Sequence, residues 1–215
     1  MDPKPDHVAF SAKPAGQSSY PETVPFVRTE SGPKLARHSV AIGIGALLIA
    51  LSAQAAVPVP FSPVPMTLQP LAVLVVGGLI GPGAGLGALV LYLALGIMGL
   101  PVFAGGGSGI VRLLGPTGGY LLSFPIAAWI AGFVVSPVLV AGAAKSQAVL
   151  RVLLGCALAM VFIHIGGVAQ LALLGGDPAL ALRLGFIPFL TGDLLKVGLA
   201  ALLILAAGPK IRALL

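Results

Sequence analysis

The stretch from Phe189 to Gly208, FLTGDLLKVGLAALLILAAG, is apolar enough to cross a lipid bilayer, yet it carries an acid, Asp193, and a base, Lys196, three residues apart near one end. The whole chain shares its character: of 215 residues, 58% are hydrophobic and 8% charged, and the mean hydropathy is +1.08. A soluble domain carries about a quarter charged residues and could not hide this much apolar surface. The chain therefore reads as an all-α integral membrane protein. A membrane barrel needs alternating polarity, and these apolar runs are continuous.

Apolar runs of span-like length mark six expected helices, over residues 38–56, 67–81, 84–100, 118–143, 148–174 and 186–208. The second is short, and IGPGAG (Ile80–Gly85) divides it from the third by no more than a turn. Residues 1–37 differ: six prolines, five Lys or Arg and four Asp or Glu, with little apolar periodicity. They read as a disordered cytoplasmic tail ahead of a membrane domain over residues 38–215. The tail has no short apolar core of the kind that marks a cleaved signal.

Basic residues in short loops fix the expected orientation. With the N-terminus inside, Lys34, Arg37, Lys145, Arg151, Lys210 and Arg212 lie inside, and only Arg112 and Arg183 lie in outer loops. Both termini are thus expected in the cytoplasm. The last span then enters from outside, with Asp193 ~10 Å and Lys196 ~15 Å along it at 1.5 Å per residue. A charge at such depth costs at least ~2.5 kcal/mol and needs an interior partner. Residues three apart share a helix face, so the two can point into one cavity and partly neutralise each other. The alternative is a structural ion pair that fixes helix packing.

The outer loops add polar groups at the same end. VPVPFSPVPMTLQ (Val57–Gln69) has four prolines, is expected to be stiff and extended, and delivers Gln69 to the mouth of the second span. LPVFAGGGSGIVRLLGPTGGY (Leu100–Tyr120) is glycine-rich and carries Arg112. It is either a flexible connector or a loop whose backbone approaches a ligand closely. Arg112 and Lys196 against Asp193 leave one positive charge, so the inferred ligand is small, with one carboxylate and a neutral N–H-bearing, amide-like group. Tyr92 reads as a packing aromatic or as a cavity wall. His164, in the fifth span with Gln170, reads as a hydrogen-bonded interhelical residue or as a proton relay. Trp129 reads as packing or an anchor, and Cys156 as a core residue with no disulfide partner. Ala46 and Ala50, with Gly43 and Ala53 near the same face, form a small-residue face that is either an internal seam or a docking surface for another membrane protein. The net charge of +6 is dispersed rather than clustered with aromatics, which argues against a nucleic-acid partner. No dinucleotide fingerprint, phosphate loop or HExxH metal motif is present, and no metal or cofactor is expected.

Four stretches in this order carry a resemblance: VPVPFSPVPMTLQPLAVLVVGGLIGP (Val57–Pro82), YLALGIMGLPVFAGGGSG (Tyr92–Gly109), LLGPTGGYLLSF (Leu113–Phe124) and GFIPFLTGDLLKVGLAALL (Gly185–Leu203). Together, over residues 38–210, the chain resembles BioY, the biotin-binding S component of bacterial energy-coupling factor (ECF) transporters. The resemblance implies a six-helix S-component bundle in the inner membrane. It implies biotin as the transported ligand, and a transmembrane T component and an ATPase pair in other chains as partners. It implies ligand-binding roles for Asp193 and Lys196 (an Asp-x-x-Lys motif), Gln69, Arg112 and Tyr92, and docking on the T component for Ala46 and Ala50. Pro70 departs from the expected threonine and could shift the start of the second helix. Three functions then compete: a vitamin-binding transporter subunit, a stand-alone proton-coupled carrier of a small carboxylate using Asp193, Lys196 and His164, and a membrane enzyme. The last lacks a nucleophile with an oriented base. Contact with membrane lipid follows from any of them, and a homo-oligomer stays open.

Overall fold

A computed structural model describes residues 31–140 and 144–215. Residues 1–30 of the expected tail, and the last three residues of the expected fourth span, lie outside the described residues. Helix α1 (Ser31–Gln54) starts seven residues before the expected boundary. Pro33 does not prevent this, because the first-turn N–H groups of a helix have no intrahelical acceptor to lose. A two-residue strand β1 (Ala56–Val57) pairs antiparallel with β2 (Met66–Thr67), turning the proline-rich loop into a clasp. There follow α2 (Gln69–Ile80), α3 (Pro82–Ile97), the single-turn α4 (Val111–Leu114), α5 (Gly118–Val140), α6 (Lys145–Gly175), α7 (Pro178–Gly185) and α8 (Leu190–Leu214).

The six apolar helices expected are present, but only α1, α5, α6 and the α7–α8 segment are long enough to cross a membrane unaided. With 12 and 16 residues, α2 and α3 reach ~18 and ~24 Å against a hydrocarbon core of ~30 Å. At one end they continue into largely irregular backbone, the β1–β2 clasp before α2 and the segment 98–117 after α3. Such backbone is tolerated at membrane depth where protein encloses it. The turn between α2 and α3 is one residue, Gly81, at φ +96°, a left-handed conformation that favours glycine. Pro82 then opens α3, where its missing N–H costs nothing.

Helix α2 runs through the middle of the bundle, packed on α1, α3, α5 and α8, with Val73 and Leu74 fully buried. Small residues allow this. A Cβ at Gly77 would stand 2.2 Å from the carbonyl oxygen of Ala128 on α5, so the two backbones touch there. The other helices turn large apolar side chains outward, as Leu194, Leu195 and Leu202 do on α8, while Asp193, Lys196, Ile204 and Gly208 face in. That is a lipid-facing surface around a packed interior.

Of the Ala46–Ala50 face, Ala46 lies in an internal seam and Ala50 is half-buried, while Gly43 is exposed. Ala46 is buried and Ala50 packs against the same core. A Cβ at neighbouring Gly45 would meet Ala88 of α3 at 2.9 Å. Close small-residue spacing brings another helix near, and here that helix belongs to the chain itself.

Candidate ligand-binding site

One end of the bundle encloses a cavity of about 380 Å³, within the range of roughly 300–1,000 Å³ usual for small-molecule sites. Its walls come from the β1–β2 clasp, α2, α4, α5, α6 and α8, with Phe103, Phe124, Phe189 and Ile163 among the apolar lining and Gln69, Arg112, His164, Asp193 and Lys196 among the polar.

Asp193 lies in the first turn of α8, where the positive end of the helix dipole favours an anion. Because α8 begins at Leu190, Lys196 is ~9 Å along it. Lys196 Nζ donates to Asp193 Oδ1 at 2.9 Å. The other oxygen, Oδ2, lies 3.1 Å from His164 Nε2, within ion-pair distance, and is itself buried. Edge-on contacts from Tyr120 and Phe186 hold the imidazole, and its Nδ1 lies 3.1 Å from the carbonyl oxygen of Met160.

Gln69, 3% exposed, opens α2. Pro70 does not displace it, since a proline in the first helical turn is favourable. Gln69 Nε2 donates to the Tyr92 hydroxyl at 2.8 Å, and that hydroxyl donates to Val102 O at 3.2 Å. Tyr92 is fully buried and does not line the cavity; it orients Gln69 from behind. The expected direct role of Tyr92 is thus corrected: α3 brings its hydroxyl to Gln69 and turns its ring onto Phe103, 5.5 Å between centroids.

The glycine-rich segment is folded, not a loose connector. Phe103 and Gly107 form a bridge around a 3₁₀ turn, Ala104–Gly106, and Gly105, Gly106 and Gly109 take positive φ. Phe103 reaches the core because α3 offers Gly96, where a Cβ would stand 2.1 Å from the ring. On α4, Arg112 lines the cavity and forms no ion pair among the described residues.

Arg183 is expected in an outer loop, and the short helix α7 there was not foreseen. Asp177 caps α7, its Oδ1 accepting from Ala179 N and Leu180 N at 2.9 and 3.0 Å, and Asp-Pro was the available signal. The Tyr120 hydroxyl donates to Gly185 O at 2.6 Å, and Ser62 of the clasp donates to Leu184 O at 2.8 Å, so the end of α7 is tied to α5 and to the clasp.

The sequence pattern of the BioY family matches residues 22–213. The chain belongs to the BioY family. It is 37% identical to the probable biotin transporter BioY of Pyrococcus horikoshii, over 75% of this chain and 92% of that one. It is 35% identical to the biotin transporter BioY of Thermotoga maritima, over 79% and 94%. The crystal structure of an S component for biotin from an ECF-type ABC transporter superposes with a TM-score of 0.72 at 24% identity, covering 85% of this chain and 94% of that chain. The fold of this BioY protein is accordingly that of an S component. Of the residues singled out beforehand, Asp193, Lys196, Gln69 and Arg112 meet at its cavity, with His164 beside them; Tyr92 stands one layer back, and Ala46 and Ala50 lie elsewhere, on α1.

Proposed function

We propose that this chain captures biotin from outside the cell and mediates its uptake as the S component of an ECF transporter, with a transmembrane T component and an ATPase pair in other chains. The observation that carries the reading is the buried Asp193–Lys196 pair, with His164 3.1 Å from the second carboxylate oxygen, on the wall of a cavity that also holds Gln69 and Arg112 among aromatic and aliphatic groups. A carboxylate has more acceptor sites than Lys196 and His164 can fill, so Asp193 can still accept from a ligand N–H. The ureido ring of biotin supplies such an N–H. Gln69 Nε2 has one hydrogen left for the ureido carbonyl after serving Tyr92. Lys196 is engaged with Asp193, so Arg112 is the cation left for the biotin carboxylate. Arg112 and Lys196 against Asp193 leave one positive charge, which the biotin carboxylate balances.

Arg37 Nη1 donates to Leu214 O at 3.3 Å, so the start of α1 and the end of α8 lie at one face. Gly81 and Arg212 are also together, at the opposite end of α2 from Gln69. The basic ends of the bundle thus lie away from the cavity, which supports both termini in the cytoplasm and a cavity opening outward.

Calorimetric titration of the purified protein with biotin, desthiobiotin, thiamine and riboflavin tests the reading. Biotin is expected to bind most tightly and the other two vitamins not at all. Binding of thiamine or riboflavin in preference to biotin would overturn it.

The closeness of His164 to Asp193 favours a second reading, a stand-alone proton-coupled carrier. It requires uptake to collapse with the proton gradient at constant ATP. Uptake that instead follows ATP and the partner chains excludes it.

A further inference from the structure

The segment that carries Arg112 is held by a residue outside the cavity. Gln170, on α6, donates from Nε2 to Leu113 O at 2.8 Å and to Gly115 O at 2.7 Å. These carbonyls belong to the last turn of α4 and the residue that caps it. A one-turn helix is too short to persist by its own hydrogen bonds, and its terminal carbonyls need outside donors. Gln170 supplies both from one amide nitrogen. The glycine pair after α4 makes room for it. A Cβ at Gly118 would stand 2.6 Å from Gln170 Nε2 and 1.8 Å from Leu113 O, and one at Gly119 would stand 2.8 Å from Gln170 Cβ. Arg112 immediately precedes Leu113 and has no side-chain hydrogen bond or ion pair among the described residues. Its place over the cavity therefore depends on where the α4 backbone is held.

We infer that Gln170 is a positioning residue: by clamping α4 it fixes Arg112 at the cavity and so sets the preference for a ligand with a free carboxylate. The inference rests on the reading of Arg112 as the carboxylate's partner. The test uses purified full-length protein titrated with biotin and with its neutral amide, biotinamide, in wild type, Arg112→Ala, Gln170→Leu and Gln170→Glu. Gln170→Glu keeps the side-chain shape and loses both donors. Both Gln170 variants are expected to weaken biotin about tenfold while leaving biotinamide nearly unchanged, so that the preference collapses as in Arg112→Ala; tenfold corresponds to about 1.4 kcal/mol. Without ligand, amide hydrogen exchange over residues 110–116 is expected to accelerate in both. Should Gln170→Leu fail to fold, Gln170→Glu decides with the same readouts. Equal losses for the two ligands, or a preference kept by the Gln170 variants but lost in Arg112→Ala, overturn the inference. A preference untouched by Arg112→Ala overturns the carboxylate assignment itself, and the exchange rates then decide whether Gln170 holds α4 at all.

Discussion

Nε2 of His164 lies 3.1 Å from Oδ2 of Asp193, while Nζ of Lys196 lies 2.9 Å from Oδ1 of the same carboxylate. One buried acid thus joins α6 to α8 at the cavity wall, with a neighbour at each of its two oxygens. Asp193→Asn and Lys196→Ala are each expected to weaken biotin binding at least about tenfold, near 1.4 kcal/mol. Calorimetry on protein that still elutes as a folded species checks this. Unchanged affinity in both variants would mean that the pair only packs helices.

The Gln69–Tyr92 hydrogen bond separates a ligand-facing group from its support. Tyr92→Phe keeps the ring against Phe103 and removes the hydroxyl, so it is expected to weaken biotin by about 0.5–1.5 kcal/mol, the worth of one hydrogen bond. Gln69→Ala is expected to cost more. A larger loss in Tyr92→Phe than in Gln69→Ala would place the tyrosine in direct contact with the ligand.

Gly96 is the floor on which Phe103 rests. Gly96→Ala improves helix propensity, yet its Cβ would stand 2.1 Å from the Phe103 ring, and the ring must move. Overpacking of this kind costs about 1–3 kcal/mol. Faster biotin dissociation in stopped-flow measurements, with helix content unchanged in circular dichroism, is the expected result.

At the other end of the bundle, Gly81→Ala imposes a side chain on φ +96° and drives a Cβ to 2.4 Å from the Arg212 guanidinium. With ψ at 172° this is a region essentially reserved for glycine, and strain of about 1–3 kcal/mol is expected from the backbone alone. The thermal midpoint is expected to fall while biotin affinity stays within about twofold, less than the 1.4 kcal/mol of a tenfold change. A loss of affinity without a loss of stability would contradict the separation of this turn from the site.

Ala46→Trp inserts an indole into the seam between α1 and α3, where Ala46 is 3% exposed. It is expected to destabilise the fold by at least about 1–3 kcal/mol, read as a lowered thermal midpoint in detergent. An unaltered midpoint would show that this face opens outward after all.

Much of this was legible in one dimension, because a bilayer simplifies the reading. Continuous apolar runs marked the helices, and an acid and a base three residues apart in the last of them had to share an inward face. Gln69 and Arg112 were found because polar groups at the ends of apolar helices are few. Ala46 and Ala50 were harder: spacing says that a helix comes close, and does not say whose. The sequence leaves Tyr92 between a packing aromatic and a cavity wall, and it packs, fully buried, behind Gln69.

The sequence by itself determined that the chain is a helical membrane protein and that Asp193 and Lys196 face its interior, since lipid penalises unpaired charge and unsatisfied backbone wherever they occur along the chain. Only the tertiary structure decided that His164 meets Asp193, that Tyr92 stands behind Gln69, and that Gln170 holds the turn bearing Arg112. Those contacts join residues 23 to 57 positions apart or lie on different helices, and helix rotation and backbone approach, set by glycines packed against distant carbonyls, fix them.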